Sequence, residues 1–143
     1  ALWHVIEHLP DPWKLLTEAA KNLAPNGLLV LAAPNPNAWQ FQIMGDHWPH
    51  LDAPRHLYLL PEQVVTDYVN KLGLERIHYS TTDSDAKKWN RFGWQRLLMN
   101  CVGGTYLKRV CFVFGYILNF FMIPFESRSF MGSSYTLVFR KVN

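Results

Sequence analysis

A chain of 143 residues has the length of one domain, and an apolar content of 49% supplies material for a core. The formal charge of +3 is modest, and Lys87, Lys88, Arg91, Lys108 and Arg109 form the only dense basic spots, which excludes the basic stripe of a nucleic-acid-binding protein. Two cysteines, Cys101 and Cys111, are too few and too far apart for a disulfide scaffold or a metal knuckle; they read as packing residues in a reducing compartment. No charged-then-apolar leader opens the sequence, so the expected location is cytoplasmic.

Residues 1–5 read as the tail of a buried strand running into Glu7 and His8. Asp11 followed by Pro12 is a helix cap with proline at the first helical position. Trp13, Leu16, Ala20 and Leu23 then recur at three- and four-residue steps, as on an amphipathic helix packed on a sheet. Asn26 and Gly27 close that helix, and residues 27–33 form a continuous apolar run, as a central parallel strand should. Strand, polar loop, helix, turn, strand is half of a parallel α/β sheet. In such sheets ligands bind at the carboxyl ends of the strands, where residues 3–8 and 34–37 both fall.

Residues 36–60 show no sustained period and read as one long loop, which in a compact domain is usually functional. Pro61 and Glu62 begin a second helix, with Val64, Val65, Tyr68, Val69 and Leu72 inward and Gly73 at its end. Residues 74–81 and 134–142 read as strands. Between them, residues 82–133 form a large insertion whose segment 110–125 is apolar except for Asn119. A bilayer crossing needs roughly 20 apolar residues. This shorter run, interrupted by Gly115 and Pro124, reads instead as a helical hairpin that covers a site or dips into a membrane surface, or as a buried core or dimer helix.

Three motifs taken in order carry a family resemblance: Ile6-Glu7-His8-Leu9-Pro10-Asp11-Pro12, Leu23-Ala24-Pro25-Asn26-Gly27, and Pro34-Asn35. With Leu51-Asp52-Ala53-Pro54-Arg55-His56-Leu57-Tyr58 and the last strand, they make the chain resemble class I S-adenosylmethionine-dependent methyltransferases. It is most similar to the small-molecule branch that includes the ubiquinone-biosynthesis O-methyltransferases. The resemblance implies a Rossmann-like α/β sheet, with the chain supplying strands four to seven and an antiparallel last strand. The glycine-rich turn and acidic strand end that grip most of the cofactor in that family are absent from the sequence. The whole of 1–143 is therefore expected to be the C-terminal part of one methyltransferase domain, inactive alone, with the N-terminal half as its partner.

Methyl transfer from a sulfonium is an in-line displacement, and holding the reacting atoms in line supplies much of the acceleration. A hydroxyl acceptor also needs a base, a task suited to histidine. His8 is the first candidate base; the plain alternative is that it hydrogen-bonds a backbone carbonyl and locks the loop. His56 is the second. By the resemblance, Trp3 and His4 lie against the cofactor's methionine end, where an aromatic face attracts a sulfonium. Glu7, Asn35, Trp48 and Arg55 are candidate acceptor-side residues. Arg55 could hold a carboxylate or phosphate, or pair with Asp52 to shape the loop; Trp48 could line an apolar pocket or fill the core under it. His4, Glu7 and His8 partly match a divalent-metal cluster of the ubiquinone-type enzymes, but short motifs of this kind are weak, and no metal is expected.

The expected activity is methyl transfer, favouring oxygen, to a small or lipid-like acceptor, with S-adenosylmethionine as cofactor. The apolar insertion makes attachment at the periphery of a membrane the accompanying expectation. A membrane-surface interaction module, anchored by residues 108–125, and an inactive remnant are the alternatives.

Overall fold

The computed structural model describes residues 1–142, Ser129 by its backbone alone. Two compact units divide the chain. The first comprises residues 1–36, 53–80 and 135 onward; the second comprises 37–52 and 81–134.

The first unit is built on a four-stranded sheet of order β1-β2-β4-β3, from β1 (Leu2–Trp3), β2 (Leu28–Pro34), β3 (Leu74–Ser80) and β4 (Ser134–Lys141). β1 runs parallel to β2, with Leu2 opposite Leu31 and Trp3 opposite Ala32. β3 and β4 pair antiparallel, with an irregularity between Arg76 and His78. Asn26 N donates to Lys141 O and Lys141 N to Gly27 O, so the end of β4 meets the start of β2. This is an α/β sheet with an antiparallel last strand.

Helix α1 (Pro12–Asn22) begins as its sequence dictates: the Asp11 carboxylate accepts from Lys14 N at 3.0 Å, and proline occupies the first turn, where no N–H is needed. Its other end is satisfied from afar, because Lys141 Nζ donates to Ala20 O and Leu23 O, placing a cation at the negative end of the helix. The helix stops at Asn22, earlier than expected. Asn26 instead holds a positive φ of 61° in a separate turn closed by Gly27 N to Ala24 O. Helix α3 (Glu62–Lys71) buries Val65, Thr66 and Val69 and leaves Val64 exposed, a correction to the inward face read from its apolar residues. Arg76 Nη1 bonds Glu62 Oε2 at 2.7 Å and Thr66 Oγ1 at 3.1 Å, tying α3 to β3. The core of this unit gathers Leu16, Leu31, Val65, Val69, Tyr135, Leu137 and Phe139, all fully enclosed. β1, by contrast, is an edge strand, and Trp3 is 46% exposed rather than buried.

The second unit holds helices α2 (Trp39–Met44), α4 (Ser84–Asn100) and α5 (Thr105–Glu126). The stretch 36–60 is thus not one uninterrupted loop: α2 and a 3-10 turn at Gly45–His47 lie within it, too short to leave a period in the sequence. The insertion 82–133 is dominated by α4 and α5, joined through residues 101–104. They approach closely because residue 115 has no side chain: a Cβ there would come 2.6 Å from the Gln95 Cα. Gln95 Nε2 also donates to Phe112 O. At the other end Glu126 is buried, its Oε1 accepting from Gln40 Nε2 and Trp94 Nε1, each at 2.7 Å. Trp39 stacks on Phe125 at 5.2 Å. Both cysteines are free, and Cys101 is exposed, so it does not serve the packing role expected of it.

Candidate active site

The parallel pairing of β1 with β2 sets Trp3 opposite Ala32, so that the two strands run toward the same end of the sheet, β1 into His4 and β2 into Pro34 and Asn35. His4 N donates to Ala32 O at 2.9 Å, extending the ladder one residue beyond β1. There the chain turns: His4 takes a positive φ of 51°, and a 3-10 turn, Ile6–His8, follows. Its anchor is Ile6, which enters the core, and its polar payload is Glu7 and His8. Asn35 is fully buried at the end of β2.

Glu7 is 1% exposed. One carboxylate oxygen, Oε1, accepts from His4 Nδ1 at 3.2 Å; Oε2 has no hydrogen-bond partner. A buried carboxylate oxygen without a donor costs free energy unless a ligand or cation completes it. The segment after Pro54 then returns over this turn. Leu57 N donates to Glu7 O at 2.8 Å, and Tyr58 Oη to Pro10 O at 3.1 Å. His56 is thereby set against His8, ring centroids 4.6 Å apart and edge to face.

His8 Nδ1 lies 3.0 Å from Arg55 O. A carbonyl only accepts, so Nδ1 carries the proton and Nε2 of neutral His8 presents a lone pair. The backbone bond foreseen as the plain alternative is therefore present, and it fixes the tautomer that a base or metal ligand requires. Glu7, His8 and His56 each offer a donor atom, all within 4.8 Å of one another. One carboxylate and two imidazoles suit a divalent first-row metal. The sequence pattern had grouped His4 with Glu7 and His8, but His4 Nδ1 is spent on Glu7, and the third donor comes from His56, which no local spacing could reveal.

Tyr135 is buried in the same core as Ile6, its hydroxyl donating to Leu60 O at 3.0 Å. Burial, reinforced by the charges of Glu7 and Glu62, pushes its phenol far above the ordinary value, so it remains neutral and is no rival as base. Arg55 is exposed on the returning segment, while Trp3 shows an open aromatic face at the end of β1. Trp48 is a correction. It is wholly buried in the second unit against Phe41 and His50, offers a bound molecule no face, and fills the core there.

Residues 1–79 match the family described as "Methyltransferase domain", and the chain belongs to that family. Its fold is that of class I methyltransferases. It is similar over 98% of its length to a solved structure from Galdieria sulphuraria described as a sarcosine dimethylglycine methyltransferase, at 14% identity and a TM-score of 0.55. It is also similar over 99% of its length to the cyclase SpnF, at 15% identity and a TM-score of 0.53. The chain spans about half of each, 51% and 48% respectively. No curated protein sequence matches it.

Proposed function

We propose that the protein carrying this chain transfers a methyl group from S-adenosylmethionine to a hydroxyl of a small or lipid-like acceptor, with His8 as general base. The observation that carries this reading is the His8 bond to Arg55 O, which leaves Nε2 free to accept a proton. The bound donor would supply an activated methyl carbon on a sulfonium. Trp3 and His4 suit its cationic end, since Trp3 is an exposed aromatic residue and His4, next to it in the chain, bonds the buried Glu7 carboxylate. His8 Nε2 would take the acceptor proton as the oxygen attacks. His56 would orient His8 through their ring contact, and Arg55, exposed beside them, would hold an anionic group of the acceptor. Family membership supports methyl transfer, but a cyclase shares the fold, so the chemistry is argued from the site.

The test is transfer of labelled methyl to hydroxyl, amine and carbon acceptors by the whole protein and by its His8→Asn variant. Label on oxygen, and loss of the acid limb of the pH–rate profile in the variant, are the expected results. Label on nitrogen with an unchanged profile overturns the reading.

The close approach of Glu7, His8 and His56 favours a second reading, in which they hold a divalent ion that polarises the acceptor oxygen. Calorimetric titration with Zn²⁺ or Mn²⁺, repeated on His56→Ala, decides between the two. Stoichiometric binding that the variant loses favours the ion; chelator-resistant activity favours His8 as base.

A further inference from the structure

Helix α5 presents a long apolar surface that its own unit does not cover. One stripe, from Cys111 through Gly115 to Glu126, turns toward α4 and α2. At 100° per residue the opposite face carries Val110, Val113, Phe114, Ile117 and Phe121, and every one of them is exposed. The helix is long and apolar enough to cross a bilayer by length and composition, about 33 Å at 1.5 Å per residue. Its packing argues against a crossing. A span would carry α4, with Lys87, Lys88, Arg91 and Arg96, into hydrocarbon, where charged side chains are expensive.

Charge tells what covers this face. Residues 84–128 hold seven basic residues and two acids, Asp85 and Glu126, while the whole chain is only +3, so the rest of the chain is net acidic. Burial also pushes the Glu126 carboxyl above its ordinary value, against hydrogen bonds from Gln40 and Trp94. The positive groups are not spread evenly. A cleft of about 360 Å³ between α4 and α5 is lined by Lys87, Lys88 and Arg91 on one side and by Tyr116, Phe120 and Ile123 on the other. Arg91 lies over the Tyr116 ring at 5.7 Å and Lys88 over Trp89 at 5.7 Å. Arg109 falls on the same flank of α5 as Tyr116, Phe120 and Ile123, seven residues before Tyr116. A basic border thus runs along one edge of the apolar face.

We propose that the α4–α5 hairpin lies in the plane of an anionic membrane surface, with the apolar face of α5 among the acyl chains and the Lys87–Lys88–Arg91 cleft on lipid headgroup phosphates. A helix with an apolar face edged by cations has this preference, and aromatic residues at the border suit the headgroup level. A second copy would bring the same basic border against itself; an anionic bilayer satisfies both the apolar face and the charge.

The test is co-sedimentation of the full chain with phosphatidylcholine vesicles, with and without phosphatidylglycerol. Binding is expected only with the anionic lipid, weakening as salt is raised. The Lys87→Gln/Arg91→Gln pair should lose about fivefold in affinity for each charge removed. Phe120→Ser/Phe121→Ser should bind least, with circular dichroism confirming its fold; should it fail to fold, the exposed-charge pair keeps the test decisive. Equal binding to both vesicle types overturns the proposal. So does absence of binding together with concentration-dependent dimerisation in sedimentation equilibrium, which assigns the face to a second copy.

Discussion

The sheet unit and the helical unit each enclose a glutamate, and the two differ in their surroundings. Each leaves one carboxylate oxygen without a hydrogen-bond partner, but Glu7 sits among imidazoles, which can carry positive charge or ligate. Glu126 accepts from a side-chain amide and an indole, neutral donors that hold α2, α4 and α5 together. Burial alone does not make an acid functional; the chemistry of its neighbours does. The same contrast holds for apolar residues. Tyr135, Leu137 and Phe139 are sealed in the sheet core, whereas Phe114, Phe120 and Phe121 on α5 face outward, so equally apolar sequence is enclosed in one unit and left at the surface in the other.

The sharpest way to break the first contrast is His8→Asn. The asparagine amide retains a donor for Arg55 O but removes the Nε2 lone pair. Methyl transfer should fall by roughly 10²–10⁴-fold, the usual contribution of a positioned base, with little change in the melting curve. A matching loss of stability would mean that the residue only locks the loop.

The second contrast is tested by a pair of truncations. Phe139→Ala should cost about 3–5 kcal/mol in denaturant unfolding, because it empties an enclosed site. Phe120→Ala should stay within about 0.5 kcal/mol, because its ring already meets solvent. Similar costs at both positions would show that α5 is covered in solution.

Glu126→Gln offers a smaller effect with a defined sign. Burial raises the Glu126 carboxyl, so the fold prefers its protonated form. The stability this contributes is complete below the unfolded value near ~4.3 and is lost as pH rises through the raised folded value. Glutamine does not titrate. The variant's stability relative to the parent, read from unfolding midpoints, should therefore climb as pH rises above the unfolded value. No trend with pH would show that Glu126 is held charged, as a site residue would be. Asp11→Ala removes the cap of α1 and should cost about 1 kcal/mol in thermal unfolding while leaving vesicle binding unchanged.

Much of this was legible along the chain. Asp11 and Pro12 mark the start of α1 because a cap is a local device, and β2 and β4 show themselves by apolar runs and alternation. Helix α2 was not legible, since six residues are under two turns and too few to establish a period. Val64 misled because an apolar residue at a helix start can face water while Thr66, bonded to Arg76, goes inside. In the site, Glu7 and His8 announced themselves by their place after a strand. Trp48, read as one of two alternatives, proved to be core because its burial depends on segments far away in sequence.

Sequence by itself therefore determined the elements that local patterns encode: the capped helix, the apolar strands, the polar turn at a strand's carboxyl end, and the presence of one unusually apolar helix. Tertiary structure decided everything that needs distant residues to meet. It set His56 against His8 across 48 positions, gave His8 its tautomer through Arg55 O, and left α5 uncovered. The physical reason is that capping and periodicity act within a few residues, whereas a side chain's partners and its exposure are fixed only when the chain has closed upon itself.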